Sequence, residues 1–399
     1  MKYLSILLLA LALPASATTT IAVLPLFNLE DTPAYNWIGE SAAETVRESL
    51  QAANFLALPR EDREEIYKRL SVRTGVQLTK ASVLKIAEAL DADLVVYGSF
   101  RIESRPGSKA EMTAPLRLSL HIIDLKRMQP GKDVEQNGTL ADLSLMQSHL
   151  CWMLLKQLAP ESTPAEDEYL RSRPAVRLNA MESYVRGLMA STPQQQGKLF
   201  SQAVKLDDHF SQAQFHLGRV EFEKKDYKQA AEWLAKVSKS DFHYMEASFL
   251  LAICRIYGGD FDSAIQLLRM VSNEFPLNEV YNNLGVAMSR RNDSGSAASF
   301  QKAIDGDQSD PDYWFNAGYT LWKYGQYAAA ADRFRAVLDR ASGDQEATIM
   351  LGRCLKNEGP RGNETRSGGR ERIKTAFEDS AFRQLQAELR KDQKTEEKK

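Results

Sequence analysis

The chain has 399 residues, a hydrophobic fraction of 43% and a formal net charge of −2. That is enough apolar material for more than one cored domain, and a balance too even to draw nucleic acid or anionic lipid through a global field. Three cysteines in so long a chain exclude a disulfide scaffold; Cys151 lies in an apolar helix, and with Cys254 and Cys354 it reads as a small buried hydrophobe.

At the N-terminus Lys2 precedes an apolar run from Leu4 to Leu13, followed by Pro14 and Ala15-Ser16-Ala17. This is the order of a secretory leader, with cleavage expected after Ala17. The run is too short to span a bilayer, and no later stretch is apolar enough to do so. The expected location is therefore periplasmic, as a soluble exported chain.

Residues 18–158 alternate strand and helix patterns. Thr20 to Leu26 is β-rich, and a helix follows with Ala42, Val46, Leu50 and Ala53 on one side. Phe55 to Leu58 reads as a strand and Glu61 to Leu70 as a helix. A further helix starts near Thr79 and turns Val83, Ile86, Ala87 and Leu90 inward. Asp93 to Gly98 is a continuous apolar strand, Leu116 to Leu125 alternates like a strand with one covered face, and a last helix runs from Leu143 to Leu158. The order implies an α/β sandwich with a mixed sheet. Residues 159–175, rich in proline and acids, read as a linker.

From residue 176 to 358 the pattern becomes purely helical and repeats. Leu217-Gly218, Leu251-Ala252, Leu284-Gly285, Ala317-Gly318 and Leu351-Gly352 follow at steps of 34, 33, 33 and 34 residues. After Gly218 come Ala230, Leu234 and Val237; after Ala252 come Ala264, Leu268 and Val271; after Gly318 come Ala330, Phe334 and Val337. Small residues at fixed places let paired helices approach, and the larger ones fill the gap to the next pair. After Gly285 the second helix arrives one residue early, at Phe300 and Ala303, with a shortened turn at Asn292 to Gly295. Residues 359–370 read as a loop. Ile373, Phe377, Ala381, Leu385 and Leu389, spaced by fours, predict a helix over 371–390 that caps the open end, with a disordered tail over 391–399.

The small–large pattern resembles the tetratricopeptide repeat (TPR), here as about five to six hairpins with the first and last degenerate. The N-terminal stretch resembles the N-terminal domain of TolB and related FlgO-type envelope domains. The matching residues are Ile21-Ala22-Val23-Leu24-Pro25-Leu26-Phe27-Asn28-Leu29, Ile38-Gly39-Glu40, Ala92-Asp93-Leu94-Val95-Val96-Tyr97-Gly98-Ser99, Leu116-Arg117-Leu118 with Ile123-Asp124, and Leu143 to Gln147. TolB's β-propeller is absent. The whole is thus expected to be an α+β multidomain chain, an α/β sandwich with a mixed sheet followed by an all-α TPR solenoid. These resemblances imply assembly and interaction in the envelope and bring no catalytic residues with them.

Phosphate-cradle motifs are missing, and neither the histidines nor the cysteines have zinc-ligand spacing. No catalytic, cofactor-binding or metal-binding residue is nominated, and no cofactor is expected. His209 and His216, seven apart, share one helix face at most. In a TPR the first helix of each unit lines the concave groove. Those positions supply Phe215, Arg219, Phe222, Phe249, Ile253, Tyr257, Asn282, Arg290, Phe315, Tyr319, Trp322, Lys323 and Arg353. So aromatic a lining suits an amphipathic helix or an extended apolar segment of a protein partner. The expected function is a non-enzymatic periplasmic interaction scaffold. Its groove takes a partner segment, and its α/β domain docks on an envelope component or on a second copy. The alternative is a small-molecule sensor or enzyme in the α/β domain, with the repeats as a regulatory arm.

Overall fold

The structure is a computed structural model. It describes residues 19–30, 32–73, 75–103, 111–361, 370–378 and 381–385, so the expected leader over 1–17 and tail over 391–399 lie outside the described residues.

The N-terminal half is built on a mixed sheet. Strand β1 (Thr20–Val23) lies between β3 (Leu56–Ala57) and β4 (Leu94–Ile102), parallel to both, while β2 (Phe27–Asn28) continues along β4. Strand β5 (Pro115–Asp124) runs antiparallel to β4, and β6 (Gln129–Pro130) and β7 (Val134–Thr139) run antiparallel to β5. The sequence pattern gave no signal for β6 or β7, because Val134 is the one buried residue of β7.

Period-two alternation sends side chains to both faces. Ile21 and Val23 join Val96, Phe100 and Leu118 beneath α1 (Asn36–Ala52) and α4 (Leu143–Leu158). Ala22, Leu24 and Val95 face the other way, against Ile66 of α2 (Arg60–Arg69) and Val83 and Ile86 of α3 (Lys80–Ala89).

The stretch expected to be a plain linker carries a short helix, α5 (Glu166–Arg171), whose Tyr169 is buried in the core beneath α4. Five helical hairpins follow. They are α6 (Leu178–Leu188) with α7 (Pro193–Leu206), α8 (Ser211–Glu223) with α9 (Tyr227–Leu234), and α10 (Tyr244–Tyr257) with α11 (Phe261–Glu274). Then come α12 (Asn278–Arg290) with α13 (Ser296–Gly306), and α14 (Pro311–Lys323) with α15 (Tyr327–Arg340); among the described residues α16 (Gln345–Leu355) has no second helix paired with it.

The spacing rule has a physical basis in the hairpins that carry a glycine at the small position. A Cβ on Gly218 would sit 2.7 Å from Leu234, and one on Gly285 would sit 2.6 Å from Phe300, so only glycine permits that approach. A Cβ on Gly352 would meet nothing within 4 Å, and among the described residues no second helix packs on α16. The turns between paired helices recur at Lys225, Gly259, Asn292 and Gly325, all with positive φ. Asp226 and Asp260 then cap the following helices by accepting from main-chain N–H groups of Gln229 and Ser263.

One apolar core crosses from the sheet into the repeats. Tyr184 and Val185 of α6, Phe200 of α7 and Leu217 of α8 share it with Val46 and Leu50 of α1 and Leu150 and Leu154 of α4. Among the described residues, no helix is long and apolar enough to cross a membrane.

Candidate functional site: the concave groove and its occupant

Helices α10, α12, α14 and α16 line the concave side, and the chain itself occupies it. After α16 the backbone turns inward. The Trp322 indole Nε1 donates to the Glu358 carbonyl at 2.8 Å, and Arg353 donates to the Gly359 carbonyl at 2.8 Å while its guanidinium lies over the Trp322 ring. Residues 370–378 then run through the groove without helical structure, and one helical turn follows at 381–385. The expected capping helix over 371–390 is therefore corrected over the described residues. An extended segment meets the groove with its main chain, and its residues do not stack on the open end.

Two asparagines read that main chain. The Asn316 side chain accepts from Arg372 N–H at 2.7 Å and donates to the Arg372 carbonyl at 2.8 Å. Asn283 does the same for Lys374, accepting at 2.9 Å and donating at 2.7 Å. Residues two apart in an extended strand present their N–H and C=O groups on the same edge, and these two amides pair with that edge as a neighbouring strand would. Asn282 braces the pair: it donates to the Arg372 carbonyl at 2.9 Å and accepts from Asn316 at 2.8 Å. All three asparagines are fully buried.

The side chains are sorted by charge. The Glu371 carboxylate, with none of its side chain exposed, accepts from Ser289 Oγ at 2.8 Å and pairs with Arg290 at 3.3 Å and Lys323 at 3.7 Å. Burial lowers the Lys323 pKa, and Glu371 opposes the fall. On the opposite side stands a wall of aspartates. Arg372 pairs with Asp312 at 3.1 Å and Asp344 at 2.8 Å, and its guanidinium lies 3.8 Å from the centroid of the Phe315 ring. Lys374 reaches Asp310 at 2.6 Å and Asp312 at 2.7 Å.

Burial works against both cations, yet the carboxylates outweigh it and hold the pKa values of Arg372 and Lys374 above their ordinary values. The hydrogen bond from Arg372 holds Asp344 below the usual carboxylate range. Asp310 and Asp344 also cap α14 and α16, so each does two jobs. Further along, Phe377 packs on Phe249 at 4.2 Å between centroids and on Phe382, which meets Phe275 at 4.9 Å. Arg383 reaches Asp62 of α2 at 3.8 Å.

Of the groove residues expected from spacing, Phe249, Asn282, Arg290, Phe315, Trp322, Lys323 and Arg353 contact residues 358–377. Phe215, Ile253 and Tyr319 are fully buried, with Phe215 stacked on His243 and Tyr319 on Trp322. Phe222 packs on Tyr227, which in turn stacks on the exposed Tyr257, and Arg219 lies 3.8 Å from Glu246. The aromatic lining predicted an apolar guest, but much of the lining is consumed inside the repeats and the guest is mostly charged. The residues that spacing missed are Asn283 and Asn316. They occupy one repeat position, two before Gly285 and two before Gly318, and an asparagine recurring there is the signal that would have found them.

A second feature lies where the α/β domain meets the first repeats. A cavity of about 810 Å³ is bounded by α1, α4, α6 and the turn before α10. Glu48 Oε1 and the Tyr184 hydroxyl, both on its wall, are buried without a hydrogen-bond partner. Burial raises the Glu48 pKa, though His243 opposes it. His243 is held above its ordinary value: burial would lower it, but the Asp241 carboxylate at 3.1 Å prevails. His209 precedes α8 and is exposed, whereas His216 is inside it against Tyr184, so the two do not share a face that binds anything.

The fold is an α/β sandwich with a mixed sheet followed by a TPR-type repeat region. Models of the tetratricopeptide repeat match residues 198–242, 246–278, 286–345 and 315–358. None of the curated proteins matches the chain. Solved structures with some likeness include YrrB, described as a TPR protein with an unusual peptide-binding site. It is 16% identical over 43% of this chain and 90% of its own, with a TM-score of 0.39. MamA of Desulfovibrio magneticus is 19% identical over 42% of this chain and 95% of its own, with a TM-score of 0.37. A thermophilic TPR protein of Thermus thermophilus is 14% identical over 44% of this chain and 99% of its own, with a TM-score of 0.34.

Proposed function

We propose that this protein is an exported, non-enzymatic interaction scaffold whose groove binds an extended stretch of polypeptide. TPR proteins typically mediate protein–protein interactions, and the repeat region here has a groove already built to hold a strand. The single observation that carries the reading is the pair of buried asparagines bonded to the main chain of Arg372 and Lys374. Main-chain capture at the edge of an extended segment is a general mode of peptide recognition. The leader-like residues 1–17 support export to a periplasm, and the TolB-like wording of residues 18–158 supports docking of that domain on an envelope component or a second copy.

Crosslinking in intact cells tests this reading, with wild type compared to Lys323→Glu/Asn316→Ala. Specific protein adducts lost only in the variant, at unchanged melting temperature, assign binding to the groove. The same adducts in both move it to the α/β domain, and no adducts at all remove the scaffold reading. In that last case the junction cavity favours a second reading, a small polar ligand held by Glu48 and Tyr184, for which ligand screening by thermal shift with Glu48→Gln as control is the test.

A further inference from the structure

Residues 370–378 do not behave as a cap. A terminal cap covers the apolar face left open by the last repeat. Leu355 of α16 stays 62% exposed and a Cβ on Gly352 would meet nothing within 4 Å, while the segment lies in the concave side instead. The contact is composed only in part like a core, with Phe377 and Phe382 buried among the repeats and Ile373 packed against them. Glu371, Arg372 and Lys374 enter it as ion pairs. Buried pairs return little net stability compared with well-packed apolar groups, yet removing one partner is costly, so such contacts select a guest more than they stabilise a fold. The order of the pockets is fixed by the repeats: a cationic pocket at Ser289, Arg290 and Lys323, an anionic wall at Asp310, Asp312 and Asp344, and an aromatic slot at Phe249 and Phe275.

We infer that residues 370–378 are a tethered copy of the segment this groove binds, and that the partner presents an extended stretch of protein in the same order. That order is an acidic residue, a basic one, an apolar one, a second basic one, and an aromatic three positions later. The inference rests on the scaffold reading and names the chemistry of its partner. The covalent tether sets the competition. An intramolecular guest acts at an effective concentration on the order of mM, so a free peptide of equal affinity competes poorly with it. A natural partner therefore displaces the tail with additional contacts or with several copies of the stretch.

The test uses the full chain and a fluorescent synthetic peptide of residues 370–385, read by anisotropy. In the variant Glu371→Lys/Arg372→Glu the tail carries the wrong charge for both pockets, while the groove is untouched. The expected result is that the peptide binds this variant at least tenfold more tightly than wild type. Adding Lys323→Glu, or scrambling the peptide's order, should abolish the gain. Failure of the peptide to bind a variant with unchanged helicity and melting would overturn the inference. If the variant unfolds, hydrogen exchange of wild type decides. Arg372 and Lys374 amides exchanging by local opening support a displaceable guest, and exchange only with global unfolding makes the segment part of the fold and overturns it. Peptide failure with in-cell crosslinks intact removes this inference alone; absent crosslinks remove the scaffold reading whatever the peptide does.

Discussion

Where the repeats meet the α/β domain, Tyr184, Val185, Phe200 and Leu217 enter the same apolar core as Leu50 and Leu154. Where the repeats meet residues 370–378, the contact is made by asparagine amides, ion pairs and a few aromatic rings. The first junction gains from every square ångström removed from water and has no preferred partner identity. The second adds matched charge and a paired strand edge to the apolar area of Phe377 and Phe382, and matching of that kind depends on the order of residues in the guest. One end of the solenoid is thus joined through apolar area, and at the other the chain is held by charge and hydrogen-bond matching as well.

The sharpest way to break that contrast is to damage the anchored junction. Phe200→Ala removes a ring that is 2% exposed and packed against Gly187 and Tyr184, at an expected cost of about 3–5 kcal/mol. Chemical denaturation should show both halves losing stability together. A separate, unshifted transition for the α/β domain would show that the shared core does not couple them.

Next in size is a pair of glycine substitutions. Gly285→Ala should cost about 1–3 kcal/mol, because its Cβ would meet Phe300 at 2.6 Å. Gly352→Ala should be neutral or stabilising by up to about 1 kcal/mol, since its Cβ meets nothing and alanine favours the helix. Equal melting shifts for the two would contradict the pairing of small and large residues as the source of hairpin packing.

In the groove, Asn316→Ala removes both bonds to Arg372 and should weaken docking of residues 370–378 by about 1–3 kcal/mol. Hydrogen exchange at Arg372 should accelerate at least tenfold while protection in α1 and α4 stays unchanged. Loss of protection throughout would mean that the tail stabilises the whole array.

The smallest expected effect is one of pH at the anchored end. His243 has a raised pKa in the folded chain, because Asp241 outweighs its burial. A raised value means that the stabilisation is complete below the unfolded value of about 6.5 and is lost as pH rises through the folded value. Denaturation midpoints should therefore fall modestly from pH 6 to pH 8, and His243→Gln should flatten the slope. An unchanged slope in the variant would assign the effect to other groups.

Much of this was legible in the sequence because it is local. A glycine or alanine every 33 or 34 residues, with a large apolar residue one helix later, specifies helix pairing through contacts within a single unit. The strands β1, β4 and β5 announced themselves by apolar runs and alternation. Strand β7 did not, since Val134 alone among its residues is buried and its partner β5 supplies the rest of the register. The acid wall was half legible, as Asp310 and Asp344 have the local chemistry of caps but nothing nearby reveals the cations they also hold.

The C-terminal segment marks the boundary between the two kinds of information. Its apolar residues at 373, 377, 381 and 385 are at least partly buried, as their spacing suggested, and they pack against the repeats. Their helical period did not decide the backbone, because Asn283 and Asn316 offer partners for an extended edge that an isolated helix cannot match. By itself the sequence determined the repeat, its phase, the hairpin turns and the apolar faces, all set by residues within one or two helices of each other. Only the tertiary structure decided what fills the groove. The groups that hold residues 371–374 lie 26 to 91 positions away and come together solely through the stacking of the repeats.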